Sequence, residues 1–335
     1  MSIKIEHIEY YLPETIVTND EIEQKHPKWD LKNVAEKSGI YSRHIAEINE
    51  TAFDLACKGI EKLIANQKLK ISEIDGIMFC TQSPDYIMPS NAFLIHNHFE
   101  FENRVWAFDY NLACSGYIYG LAIARGMIST NMAKKILLIN ADTYSKYINV
   151  NDRSTSVLFG DGAAISIIST TSDDGVLDIA LASAGKEFNS FYIPGGGCRI
   201  PKDNNSKIIE TDKSGNERTL ENIHMNGFAV WKFISKMVPD QIEDILLKNN
   251  LKIDDIDLFV FHQASMLTLN SLIKVLKIDR NKVFFNLEKI GNTVSASIPI
   301  AYRDAELANK LRKGNTVLLS GFGVGLSWGS IILKY

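Results

Sequence analysis

The chain has 335 residues, 45% of them hydrophobic and 23% charged, with 40 acidic against 36 basic side chains and a formal net charge of −4. That composition suits a globular protein large enough to bury one sizeable core or two smaller ones. It offers no basic block for gripping nucleic acid, and no apolar run approaches the roughly 20 residues that a membrane helix needs.

The opening stretch, MSIKIEHIEYYLPE, sets acids among its apolar residues, which is unlike an export signal. The expectation is a cytoplasmic protein whose thiols are reduced. Strand-like and helix-like runs then alternate. A helical segment over 52–66 precedes the apolar run DGIMFCTQS (75–83). HNH at 96–98 offers two imidazoles, but at i, i+2 on a helix they point apart, so no metal site is expected there. CSGYIYGLAIARGMIS, from Cys114, carries one charge, Arg125, and is apolar nearly all round. Such a helix belongs at the centre of a molecule.

KKILLINAD (134–142) and GDGAAISIIS (160–169) follow as strands. The composition next shifts to a Gly-, Asn-, Lys- and Ser-rich stretch with little periodicity, read as loops with a hairpin. A loop that long in a compact domain tends to cover a site or an interface. DLFVFHQAS (257–265), a helical segment over 268–277, NTVLLSGFG (315–323) and WGSIILKY (328–335) complete the chain. Short apolar strands spaced by amphipathic helices indicate an α/β protein whose sheets are covered on both faces.

The chain also repeats itself. ISEIDGIMFCTQS (71–83) and IDDIDLFVFHQAS (253–265) share Ile, Ile, Asp, Phe and Ser at matching positions. A strand, a glycine turn and a second strand follow each of them. A duplicated α/β unit accounts for this. The expected division is an N-terminal half over 1–170, a connecting region over 171–222 and a C-terminal half over 223–335.

Cysteine usage narrows the chemistry. The chain has 4 cysteines, at 57, 80, 114 and 198, with no zinc spacing among them. Cys114 alone stands at a predicted helix start, where unpaired N–H groups and the helix dipole favour thiolate. It is either a small core residue or a nucleophile. His262 ends a strand, where an open α/β sheet presents its ligand-binding edge. Asn292 lies in a Gly turn, and SGFGVGLSWGS (320–330) offers backbone N–H groups that suit an oxyanion hole.

Together, YLPETIVTNDEI, SGIYSRHIA, ACSGYIYGL, DRSTSVLFGDGAA, FHQAS, GNTVSASIPIA and GFGVGLSWGS resemble, in that order, the β-ketoacyl-ACP synthase III family of the thiolase superfamily. The resemblance implies a thiolase fold: duplicated βαβαβαββ halves in five α-β-α-β-α layers, assembled as a homodimer. It implies a Cys114-His262-Asn292 triad and an oxyanion hole from the N–H groups of Cys114 and Val324. An acyl thioester would load Cys114. A malonyl thioester, carried by acyl carrier protein, would then lose CO2 and extend the acyl group. The alternative reading moves the acyl group to a hydroxyl or amine. No cofactor is implied, since coenzyme A enters as a thioester substrate.

By the same resemblance Lys37, Arg153, Met88, Phe322 and Gly227 contact substrate, Met88 being inserted from the partner subunit. Lys232 and Lys274 meet the acidic carrier protein. Departures from the family pattern fall at the entrance. Asn33 stands where a Trp often stacks on adenine, with Trp29 close by; Ser265 replaces an Asn and Leu267 an Arg. Val324 replaces a Gly, but only its N–H is required.

Overall fold

The computed structural model describes residues 2–173 and 175–335. The first sheet uses β1 (Ser2–Tyr11), β2 (Gly76–Cys80), β3 (Trp106–Tyr110), β4 (Lys135–Asp142) and β5 (Gly162–Thr171). Its order is β1-β5-β4-β2-β3. The second sheet uses β6 (Val176–Ser183), β7 (Leu258–Phe261), β8 (Thr316–Gly323) and β9 (Ser327–Lys334), in the order β7-β8-β9-β6.

Read from the other edge, β6-β9-β8-β7 matches β1-β5-β4-β2 strand for strand. The senses match too: β2 lies parallel to β4 and β7 parallel to β8, while the other pairs among these eight strands are antiparallel. The repeat noticed in the sequence is therefore a repeat of topology. β3 adds an edge to the first sheet; in the second, its place is marked by a single parallel bridge between Phe259 and Val283. The connecting region, in contrast, begins later than 171. Val176–Ser183 pairs with β9 and is an edge strand of the C-terminal sheet. Its mostly half-buried residues, interrupted by Asp178, lack the long apolar run that marked the other strands.

Alternation along the central strands sets the layers. Ile136 and Leu138 of β4 face one cluster, and Leu137 and Ile139 face another. Likewise Val317 and Leu319 of β8 point inward and Leu318 outward. Between the sheets lie α3 (Gly116–Ser129) and α6 (Ser297–Leu307). Tyr117, Ile118 and Leu121 of α3, with Ile298 and Tyr302 of α6, form the core shared by both sheets. Each such buried side chain contributes about 1.5–3 kcal/mol. Outside the first sheet pack α1 (Ala52–Ala65) and α2 (Asn91–His98); outside the second pack α4 (Gly227–Lys248) and α5 (Met266–Leu276). The result is the five-layer thiolase arrangement.

Local sequence explains the element ends. Thr51 and Asp54 form a reciprocal capping box at the start of α1, worth about 1 kcal/mol. Ser265 caps α5 by accepting the N–H of Thr268. Within the excursion, Glu210–Thr211 pairs with Glu217–Arg218 as a small hairpin, and Phe191–Tyr192 pairs with His224–Met225. Of the HNH imidazoles, His96 faces the Glu102 carbonyl and His98 packs edge-on against Phe53 and Phe99. Among the described residues no helix is long and apolar enough to cross a membrane.

Candidate active site

The chain between β3 and α3 carries Cys114 into the centre of the molecule. Gly116 is the first residue of α3 and Ser115 its cap, so Cys114 lies just before the helix rather than in its first turn. Two glycines of β8 press against it. A Cβ on Gly321 would come 2.6 Å from the Cys114 carbonyl oxygen, and one on Gly323 would come 2.8 Å from Cys114 Cβ and 3.1 Å from Sγ. The Ser115 and Ser327 hydroxyls, 2.7 Å apart, tie the start of α3 to β9. A glycine-rich strand thus lets the two halves meet at the sulfur.

His262 follows β7, and its N–H donates to the Ser320 carbonyl at 2.8 Å. Its Nδ1 lies 2.6 Å from Ser297 Oγ, at the first residue of α6. Phe322 packs against the ring at 78°, with centroids 5.6 Å apart. In the tautomer whose Nδ1 accepts from the Ser297 hydroxyl, Nε2 carries the ring's N–H. Burial pushes the imidazole pKa down to about 3, so the ring is neutral at physiological pH.

Asn292 is held through both main-chain groups. Its N–H donates to the Leu158 carbonyl at 2.8 Å, and its carbonyl accepts the Gly160 N–H at 3.0 Å. Its side-chain Oδ1 accepts the Val294 N–H at 2.9 Å, which leaves the Nδ2 hydrogens for a ligand.

Cys114, His262 and Asn292 line one cavity of about 320 Å³, together with Phe322, Gly323 and Trp231. The three are 3%, 1% and 5% exposed respectively, so the chemistry would proceed away from bulk water. Burial, and then the nearby Asp142 carboxylate, push the Cys114 thiol above its ordinary pKa. The helix start expected to favour thiolate is thus set against burial. Burial opposes the thiolate, and Cys114 lies just before the helix, outside the first turn in which the dipole acts.

The remaining sequence-derived positions are spread around this centre. Gly227 and Leu267 line the same cavity, as does Ser265. Val324 borders a second cavity of about 350 Å³ with Tyr144, Tyr147 and Ile223. Phe191 lines both cavities. Lys37 lies in the last turn of the helix Leu31–Ser38, and Arg153 opens the one-turn helix Arg153–Ser156; neither reaches the cavity wall. Trp29 stacks on His26 at 4.0 Å. Lys232 and Lys274 are exposed on α4 and α5. Met88 is 79% exposed and distant in sequence from every residue lining the Cys114 cavity.

The sequence reading missed Ser297, which anchors His262, and Trp231, whose indole N–H donates to Ser271 at 3.0 Å at the cavity wall. Ser297 sits five residues after Asn292 in a block already singled out; Trp231 carried no local signal.

Two family profiles match the chain: 3-oxoacyl-[acyl-carrier-protein (ACP)] synthase III over residues 108–185, and 3-oxoacyl-[acyl-carrier-protein (ACP)] synthase III C terminal over 246–335. The chain is 36% identical over 328 residues to the β-ketoacyl-[acyl-carrier-protein] synthase III of Clostridioides difficile (strain 630), covering 97% of this chain and 96% of that one. It is 35% identical over 336 residues to that of Rickettsia akari (strain Hartford), with full coverage of both. Among solved structures, a 3-oxoacyl-(acyl-carrier-protein) synthase III superposes with a TM-score of 0.97 at 35% identity, covering 100% of both chains. The Aquifex aeolicus VF5 enzyme of that name gives 0.85 at 30%, again over 100% of both.

The fold is that of the thiolase-type condensing enzymes, and the protein is an acyltransferase of the condensing kind. The chain belongs to the β-ketoacyl-[acyl-carrier-protein] synthase III family.

Proposed function

We propose that Cys114 is the acyl-accepting nucleophile and that His262 and Asn292 act on the extender. The observation that carries this reading is the orientation of the two donors. Nδ1 of His262 is engaged by Ser297 and Oδ1 of Asn292 by Val294, so each offers an N–H to the cavity that Cys114 lines. In the first step the Cys114 sulfur attacks the carbonyl of an acyl-coenzyme A, its proton passing to the departing coenzyme A thiolate. The N–H groups of Cys114 and Val324 serve as the oxyanion donors, each worth about 2.7–4 kcal/mol of barrier. The neighbouring cavity beyond Phe191 suits the acyl chain, since Tyr144, Tyr147 and Ile223 present largely apolar walls.

In the second step a malonyl thioester on acyl carrier protein loses CO2. His262 Nε2–H and Asn292 Nδ2–H stabilise the enolate oxygen, and the enolate carbon attacks the acyl thioester. A carbon–carbon bond forms, the carbon–sulfur bond breaks, and the Cys114 sulfur takes up a proton. Two neutral donors fit this step better than a general base, because loss of CO2 itself generates the carbanion. The family relationship likewise favours condensation over transfer to a hydroxyl or amine.

Lys37 and Arg153 suit the phosphate groups of coenzyme A outside the cavity mouth. Lys232 and Lys274 suit the acidic carrier protein, and Lys186 and Lys236 lie beside Lys232 around a surface cavity on α4. The functional unit is a homodimer. In its support, β3 is the half-buried edge of the first sheet, and Tyr86, Ile87 and Met88 are exposed apolar residues of the loop that follows its neighbour β2. Met88 would then complete the partner's site.

Intact-mass measurement after addition of acyl-coenzyme A tests the first step. Wild type gains one acyl mass and Cys114→Ala gains none. An adduct on Cys114→Ala would refute the assignment. Release of CO2 and formation of a β-ketoacyl product from malonyl-carrier protein test the second.

A further inference from the structure

Asp142 ends β4 with 0% exposure, and no arginine, lysine or histidine pairs with it among the described residues. Four donors converge on it instead. Oδ1 accepts the Gln82 N–H at 2.8 Å and the Thr81 hydroxyl at 3.4 Å, both just after β2 in the N-terminal half. Oδ2 accepts the Ser295 hydroxyl at 2.6 Å and the Ser295 N–H at 3.3 Å, in the C-terminal half. One carboxylate thus joins the two halves beside the nucleophile.

Ser295 belongs to the turn that orients Asn292. Val294, between them, supplies the N–H that grips Asn292 Oδ1 and has a φ of +54°. A β-branched residue in the left-handed region costs of order 1–3 kcal/mol and persists only where its surroundings over-determine it. The grip of Asp142 on the next residue is such a constraint. Every group reaching Asp142 is a donor, so the position requires an acceptor on both sides. A carboxylate meets that requirement; an amide presents its NH2 to one of the two donor sets.

We infer that Asp142 is a positioning residue for the condensation step: its carboxylate clamps the 292–296 turn and thereby aims the Asn292 amide at the extender. The inference rests on the proposed role of Asn292 but assigns Asp142 no contact with substrate. It predicts a separation of the two half-reactions, because acyl loading uses Cys114 and Val324 while condensation also needs the Asn292 donor.

The test compares wild type, Asp142→Asn and Ser295→Ala in both half-reactions. Loading is followed by intact mass with acyl-coenzyme A, condensation by CO2 release and product from malonyl-carrier protein. For Asp142→Asn we expect loading no slower than a third of wild type, since losing a charge that opposes the Cys114 thiolate can only favour attack, and condensation down at least 30-fold, with kcat falling and KM for the extender little changed. For Ser295→Ala, which removes only the hydroxyl donor, we expect the same pattern at about tenfold, and it decides the matter if Asp142→Asn fails to fold. Condensation within threefold of wild type in the folded variants would overturn the inference. Equal loss of both half-reactions would do so too, since that marks general disruption of the site. A wild type that loads acyl groups yet releases no CO2 would instead remove the proposed role of Asn292, and this inference with it.

Discussion

Replacing Gly323 by alanine perturbs Cys114 through one added carbon. The new Cβ would stand 2.8 Å from Cys114 Cβ and 3.1 Å from its sulfur. Carbon atoms in favourable contact lie about 3.5–4.0 Å apart, so the pair is short by roughly 0.7 Å or more. Neither side yields readily. Gly323 is paired with Ser327 in the sheet, and Cys114 is backed by Gly321 against its carbonyl oxygen. The cysteine must therefore move by several tenths of an ångström. A misplacement of 1 Å at a reacting centre costs about 100-fold, which sets an expected loss of ~10–100-fold in acylation rate. Overpacking costs a further ~1–3 kcal/mol of stability. Stopped-time intact-mass measurement of the acyl adduct, with thermal melting alongside, separates the two effects. Acylation within threefold of wild type would show that the β8 glycines do not govern the placement of the sulfur.

Other outcomes follow from the same geometry. His262→Ala and Asn292→Ala should each load acyl groups at near wild-type rates while condensation falls ~100–1,000-fold, the scale of losing one anion donor; a loading defect of equal size in either variant contradicts the division of labour. Ser297→Ala frees Nδ1 of His262, and the loss of one buried hydrogen bond, about 1–2 kcal/mol, predicts a roughly tenfold drop in condensation measured by CO2 release. Arg218 donates to Asp152 at 2.7 and 3.1 Å, and that carboxylate organises the one-turn helix bearing Arg153. Arg218→Met should therefore destabilise the fold by ~3–5 kcal/mol in chemical denaturation. Burial pushes the Asp152 carboxyl up, but its bonds to Arg218, Ser154 and Thr155 prevail and hold it below its ordinary value. The pair thus stabilises the fold fully above the usual carboxylate range and loses its effect as pH falls through it. The Arg218→Met penalty should shrink below pH ~4, and a pH-independent penalty would count against the pair.

Much of this architecture was legible because it is written in local pattern. Continuous apolar runs marked β2, β4, β7 and β8, and their recurrence exposed the duplication that the two sheet orders repeat. The position of Cys114, His262 and Asn292 next to helix, strand and turn ends singled them out, and the ordered family blocks joined them. β6 escaped notice because an edge strand with one wet face has no long apolar run.

What the sequence alone determined, then, was the order of elements, the repeat and the candidate side chains, since periodicity and turn residues act over short range. Only the tertiary structure decided that the sulfur is buried, that Ser297 meets Nδ1 of His262, and that Asp142 bridges the halves. Burial and hydrogen-bond partnership here join segments far apart in the chain, 35 residues for His262–Ser297 and 153 for Asp142–Ser295. No local pattern encodes how much water such packing removes.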